Sequence, residues 1–474
     1  MRKATFFFAI ALLIATLVPM GVHAQSADAQ TWSTAITYYT PDATGGKLQV
    51  RYYAEGSSTS IDAAPITLSG HTAGSLFIGN VSGMPATFAG GAVLEADVPI
   101  VATAVNIATG EYPRPLYSGF DPSLASEDFF IPTVLYQKFN SNTLVSIQNV
   151  ETTDINATLK VYALGSTTPA FSQTYPIKAQ SAKLVPAADM GLAAGFTGSA
   201  VVDATGKVVA AAQENDINGR SAKAFEGLPA DAGATTIYMA SMMCEAFGGQ
   251  TSYYAIQNVD TSSTAANVEI DFYDKNGAKV YTATGISIAK GGKGSENPCK
   301  YTGSAPALQG VSGSAVIRST NGIKLIAMGK VASPSMTATA FVGQSQGAMK
   351  SAAPYIRWKV DPAAGERAYV AVMNVGTGDA TNVTATYYDN QGNAAATKTL
   401  ASAGSPLAKY IKVNTNWQTA SGSNTDFGTP PPGYGGAIEI QSDQPVIVVV
   451  RVSKKVAFGG ITSFAEDYNG VPVP

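Results

Sequence analysis

The sequence predicts an all-β chain of tandem two-sheet sandwiches, on three observations. The same string of landmarks recurs four times, about 110 residues apart. The segment leading into each landmark alternates apolar and polar residues with period two, the signature of a half-buried strand. Charged residues make up only 13% of the chain, below the ~25% of an ordinary soluble domain, while glycine is abundant at 47 residues.

The landmarks are a tyrosine (Tyr53, Tyr162, Tyr273, Tyr388), a small-residue step, and an aromatic two residues before a closing glycine. The steps read Gly90-Gly91-Ala92, Gly198-Ser199-Ala200, Gly313-Ser314-Ala315 and Gly435-Gly436-Ala437. The closing pairs are Tyr117/Gly119, Phe225/Gly227, Phe341/Gly343 and Tyr468/Gly470, at 29, 29, 30 and 35 residues from the first glycine of the step. Before each landmark, strands such as Leu48-Gln49-Val50-Arg51-Tyr52 and Ala157-Thr158-Leu159-Lys160-Val161 place one face on a core. Arg51, Lys160, Asp271 and Thr386 fall at the outward, solvent-facing position. Each strand ends in a turn closing on Gly56, Gly165, Gly277 or Gly392, where a positive φ is needed. Another strand precedes it as Ser146-Ile147-Gln148-Asn149-Val150, Ala255-Ile256-Gln257-Asn258-Val259 and Val372-Met373-Asn374-Val375, with Thr37-Tyr38-Tyr39-Thr40 standing there in the first copy.

Seven or eight short strands in each copy argue for sandwiches of immunoglobulin-like type. Four such domains are expected at residues 25–128, 129–238, 239–353 and 354–474. Their short junctions favour a semi-rigid rod or a compact stack. Residues 1–24, with Arg2 and Lys3 before an apolar run and Val22-His23-Ala24 at its end, read as a secretory signal peptide. The chain is therefore expected to be secreted or extracellular, with a surface-associated form open. After the leader nothing is long and apolar enough to cross a bilayer. The net charge of −3 becomes more acidic without Arg2 and Lys3, and no basic stripe is present, so nucleic acid is not an expected partner.

On this pattern the chain resembles the broad class of bacterial exported proteins built from tandem immunoglobulin-like sandwiches. That resemblance implies an adhesin, a surface-layer or filament component, or an accessory module of a secreted enzyme. It carries no functional residue over.

Catalytic resources are few. His71 is the one histidine beyond the leader and reads as a solvated loop residue, since triads and histidine-based metal sites need more around it. Acids such as Asp274 and Asp389 read as turn residues bonding their own backbone. The Glu214 to Gly219 stretch offers oxygens but lacks the spacing of a calcium loop. No enzyme activity, cofactor or metal is expected. Cys244 and Cys299, both in the third copy, form a candidate disulfide in an exported chain, with free or intermolecular thiols as the alternative.

Shared positions are fold determinants, so function is sought where one copy departs. The fourth copy carries roughly ten extra residues between its tyrosine and its small step, including Asn416-Trp417-Gln418, Asp426-Phe427-Gly428 and Pro430-Pro431-Pro432-Gly433-Tyr434. Trp417, Phe427 and Tyr434 are the binding candidates, because rigid aromatics on a proline-stiffened loop suit stacking on sugar rings or docking on protein. The other reading folds Trp417 and Phe427 back over their own sandwich. The sequence thus points to a non-enzymatic surface or extracellular structural and adhesion protein, whose partner is a cell-envelope component, a glycan or another copy. A carbohydrate- or protein-binding module is the alternative, and a two-carboxylate hydrolase ranks last.

Overall fold

The computed structural model describes residues 4–8, 31–109, 113–260, 264–428, 435–458 and 461–474, the first of these by backbone alone. The described chain is all-β, with several sheets and a few short helical turns. Within each repeat, strands pair antiparallel in two sheets, and the order recurs. In the second repeat one sheet runs Pro169–Ile177, Ile155–Ala163, the first half of Phe196–Asp216, then Ser126–Tyr136. The other runs Ala182–Pro186, Ser141–Asn149, the second half of Phe196–Asp216, then Ala222–Glu226. The third repeat repeats this with Lys279–Ile288, Ala266–Asp274, Ser312–Ser319 and Thr236–Met243, facing Lys293–Glu296, Thr251–Asn258, Leu325–Ser333 and Met336–Val342. The fourth does so around Gly436–Phe458. The starting strands Ser126–Tyr136, Thr236–Met243 and Ala348–Ile356 set in a few residues ahead of the breaks expected after 128, 238 and 353.

The period-two alternation follows from this layering. Leu48, Val50 and Tyr52 point into the first core, as Ala157, Leu159 and Val161 do in the second and Val383, Ala385 and Tyr387 in the fourth. The buried asparagines that end the second type of strand act as turn staples. Asn149, Asn258 and Asn374 each donate Nδ2 to carbonyls of two neighbouring loops, and each Oδ1 accepts from the amide two residues on.

Each repeat packs on the next, and the fourth packs on the first. At the first seam Gln148 Nε2 donates to Ala92 O at 3.4 Å and Ser181 Oγ to Ala54 O at 2.7 Å. At the second, Gln257 Nε2 donates to Ala200 O at 3.1 Å and Ser199 Oγ to Gly291 O at 2.9 Å. At the third, Ser314 Oγ donates to Tyr410 O. The closing seam joins residues 400 positions apart, with Tyr39 Oη donating to Glu439 Oε1 at 2.8 Å. The chain is thus a closed cycle and not a rod. Leu116–Ser118, Ala222–Glu226, Met336–Val342 and Ile461–Asn469 come together around its middle, where Ser118 Oγ donates to Asn469 O at 2.9 Å and Asn469 Nδ2 to Val342 O at 2.7 Å.

The small-residue steps are the floor of these seams. A Cβ on Gly91 would lie 2.7 Å from the Gln148 side-chain amide, so a larger residue there would push that amide off its bond to Ala92 O. The turn that meets each step carries a left-handed residue: His71 (φ 54°), Gln180 (φ 62°), Gly291 (φ 67°) and Tyr410 (φ 67°). Three landmark tyrosines stand against these turns. Tyr162 lies beside Gly291, Tyr273 packs on Tyr410 with ring centroids 5.3 Å apart, and Tyr388 stacks on His71 at 4.6 Å. His71 is therefore a seam residue, hydrogen-bonded to Tyr39 Oη at 3.1 Å, and not the solvated loop histidine expected. Asp271 departs from expectation too: Arg318, Lys279 and the Thr282 hydroxyl cover it, so it is buried.

Charge is buried along two seams. Glu214 accepts from Lys330 at 2.6 Å and pairs with Lys223 at 3.0 Å. Burial alone would raise its carboxyl, but the two ammonium groups hold it down at about 2. Glu214 lies inside a strand, so it is no calcium-loop ligand. Lys293 and Lys412 are less well matched. Burial, reinforced by the nearby charges of Lys330 and Arg451 respectively, lowers each ammonium to about 7.

In the first repeat the place held elsewhere by Ser126–Tyr136, Thr236–Met243 and Ala348–Ile356 is taken by Ala4–Phe8, which pairs antiparallel with Gly90–Ala96. That segment lies within residues 1–24, the stretch that the sequence reads as a leader; residues 1–3 and 9–24 are outside the described residues.

Two outcomes follow from these contacts. A chain beginning at Gln25 should show faster amide hydrogen exchange across Ala92–Ala96 than across the corresponding Ala200–Asp203, because only the former loses its neighbouring strand; equal protection would mean another segment fills the slot. Unfolded lysine titrates near ~10.4, so above pH 7 the unfolded chain holds protons that folded Lys293 and Lys412 have released. Stability should climb from pH 7 to 9 by on the order of 2 kcal/mol per lysine. Thermal melts of the Lys293→Met, Lys412→Met double variant should lose that climb.

Candidate functional site

Two of the aromatics of the fourth-repeat insertion turn inward. Asn416 caps the short helix Trp417–Ser421 with a capping box, which rolls the Trp417 ring under the chain. Trp417 Nε1 donates to Thr425 O at 3.1 Å, and its ring meets Phe427 at 4.5 Å and Tyr387 at 6.0 Å. Trp417 and Phe427 are 8% and 3% exposed. They are core residues closing the end of the fourth sandwich, and not the outward contact group that the loop's composition suggested. The reason is local: Phe427 N donates to Trp358 O at 3.0 Å, Val360 N to Asp426 Oδ1 at 2.7 Å and Trp358 Nε1 to Asn424 Oδ1 at 3.3 Å. These bonds stitch the insertion onto the 357–360 segment. Tyr434 lies outside the described residues.

The outer edge of this stitched insertion forms one wall of a cleft of about 600 Å³ between the first and fourth repeats. Phe77, Val105, Ile107 and Arg114 line it from the first repeat. Tyr355, Arg357, Trp358, Lys359, Glu366, Phe427 and Lys454 line it from the fourth. The volume falls in the ~300 to 1,000 Å³ range of small-molecule sites. Val105 and Leu116 join the hydrophobic core of the fourth repeat, so the floor of the cleft is continuous with the closing seam. Phe77 stands at its rim, 39% exposed.

The cleft has a particular electrostatic arrangement. Glu366 sits between two guanidinium groups, 3.3 Å from Arg114 and 3.9 Å from Arg357 Nε. Arg357 is 8% exposed and lies over the Tyr355 ring at 4.5 Å, yet its Nε has no hydrogen-bond partner among the described residues. Behind them Glu466 is fully enclosed, and burial raises its carboxyl well above the ordinary range against the pull of Arg114 and Arg357. Among the described lining residues, Glu366 and Asp426 are the carboxylates beside Arg114, Arg357, Lys359 and Lys454. Cations outnumber carboxylates in that described set.

Cys244 and Cys299 are joined as a disulfide, Cα atoms 5.2 Å apart, tying the end of Thr236–Met243 to the turn at Pro298–Tyr301. Asp274 and Asp389 accept from their own turn amides at 2.8 to 2.9 Å. Among the described residues no three His, Cys, Asp or Glu side chains converge as a metal-binding group, and no helix is long and apolar enough to cross a membrane. Sequence reasoning missed the cleft, because Arg114 and Arg357 are 243 residues apart and carry no local pattern.

No protein-family model matches the chain, and no curated protein matches its sequence. Among solved structures it is similar to Thermotoga maritima 1070 at 15% identity, over 25% of this chain and 92% of that one, with a TM-score of 0.19. It is also similar to the BSP domain of a biofilm-associated protein, at 10% identity over 93% of this chain and 91% of that one, TM-score 0.14. A tetra-tandem repeat from the extending region of a large adhesion protein aligns at 12% identity over 92% and 93% of the two chains, TM-score 0.11. The weak neighbours thus include a domain of a biofilm-associated protein and a tandem repeat of an adhesion protein, at scores that assign no role.

Proposed function

We propose that the chain is a non-enzymatic exported protein, extracellular or held at the cell surface, whose four immunoglobulin-like sandwiches act together as one rigid adhesive or structural body. Closure of the cycle carries this reading. Tyr39, His71, Tyr388 and Glu439 lock the first repeat to the fourth, and a closed body presents several fixed faces to partners where a flexible string would present none in register. Buried acids such as Glu214, Asp271 and Asp467 are held by basic partners inside or between repeats, an allocation suited to holding shape. A second reading, a binding module, is favoured by the cationic cleft at the closing seam.

The pair His71→Cys with Tyr388→Cys should be joined within one chain by a short bis-maleimide in high yield, seen as a mobility shift on denaturing gels. Negative-stain images of the purified protein should show compact four-lobed particles, alone or assembled. Extended rods and no cross-link would remove the closed body. For export, intact cells treated with added protease should lose the protein, and retention in the cytosol with residues 1–24 attached would overturn the extracellular assignment.

A further inference from the structure

We propose that the cleft between the first and fourth repeats binds an acidic saccharide of the uronic acid class, with Arg357 receiving the carboxylate and Phe77 lying against the sugar ring. The inference rests on the binding-module reading and on the closed cycle, because the walls come from repeats at opposite ends of the chain.

Three features select this chemistry. First, Arg357 is a buried guanidinium lining the cleft whose Nε lacks a hydrogen bond. An unmade bond on a buried charged donor is costly, and a carboxylate is the planar acceptor that a guanidinium fork fits. Glu366, the carboxylate nearest to it, is 3.9 Å from that nitrogen and is shared with Arg114 at 3.3 Å. Second, among the described lining residues cations outnumber carboxylates, which favours an anionic guest over a neutral one. Third, the same cleft carries an exposed aromatic face at Phe77 beside the Ser75 hydroxyl, which accepts from Thr37 at 3.5 Å. A sugar ring has an apolar C–H face to lay on Phe77 and hydroxyls to bond to Ser75. Phosphate would leave Phe77 unused. An acidic peptide would satisfy the cations but has no rigid hydroxyl-bearing ring for this wall.

The test is calorimetric titration of the full chain with a uronate-containing disaccharide, using as controls the neutral glucose disaccharide, inorganic phosphate and a short Glu/Asp peptide. Binding of the uronate, weakened by salt and at least tenfold weaker or absent for the neutral sugar, is expected. Phe77→Ala at the exposed rim and Arg357→Gln should each weaken it at least tenfold, and Lys454→Ala less. Because Arg357 is buried, the melting curve of its variant is recorded, and Phe77→Ala keeps the test decisive if that variant unfolds. No uronate binding, equal binding of the neutral disaccharide, or tighter binding of phosphate or peptide would each overturn the assignment. The same titration on the His71→Cys, Tyr388→Cys cross-linked chain separates the two readings: silence from a verified closed body defeats the ligand alone, whereas failure to cross-link defeats the closed body itself.

Discussion

The contact on which the architecture depends is the seating of a left-handed turn from one repeat onto the small-residue step and landmark tyrosine of the repeat before it. The buried apolar clusters run across repeat boundaries, the first and second repeats sharing one, so the seams decide whether the chain is a string or a single body. Gly91 leaves room for the Gln148 side-chain amide, and Ser199 meets the neighbouring turn with its hydroxyl. The hydroxyls of Ser199 and Ser314 then bond the carbonyl of the turn residue, Gly291 or Tyr410, whose φ is positive. Because the fourth repeat offers the same seat to His71, the series closes. Closure means that no end seam is left to water: each repeat covers one neighbour and is covered by another.

The strands were legible in the sequence, and the seams were not. Period two in Leu48 to Tyr52 or Val383 to Tyr387 reports which face is buried, since alternation is a direct print of the pleat. It does not report what lies across that face or beyond the strand's end. Tyr388, one residue out of phase with the inward Tyr387, therefore looked like a strand terminus, and its packing on a histidine more than three hundred positions earlier had no local trace. His71 misled for the same reason. A polar residue among Ser69, Gly70 and Thr72 reads as solvated, yet its left-handed φ is the fourth instance of a turn that glycine, glutamine and tyrosine occupy elsewhere. The common feature is a backbone angle, which residue identity encodes weakly outside glycine and asparagine.

The Trp417 and Phe427 pair shows a different limit. Composition could distinguish a proline-rich aromatic loop from an ordinary turn, but not whether its rings face out or in. The deciding groups were the polar ones: Asn416 supplying the helix cap, Asn424 receiving Trp358 Nε1 and Asp426 receiving Val360 N. Once those bonds form, the chain has nowhere to place Trp417 and Phe427 except over Tyr387, and burying two large rings there adds several hundred square ångströms of apolar contact. The insertion thus works first as a lid on its own core.

The closing seam departs from the first two, and the lid stands beside it. Where Gln148 and Gln257 reach across to a backbone carbonyl, Tyr39 stands in the closing seam and reaches instead for Glu439. Beside it, the stitched 423–428 segment and the 357–360 stretch wall off space against Phe77 and Arg114. A cycle of four equal seams would have four equal crevices; unequal lengths in a single chain let one of them widen. The buried Arg357 Nε lies in that widened crevice, so the unsatisfied donor and the break in symmetry coincide. Lys293 and Lys412 are imperfectly matched at other seams as well, but only at the closing junction does an open donor meet a described cleft of this size, and that coincidence is the ground for placing a guest there.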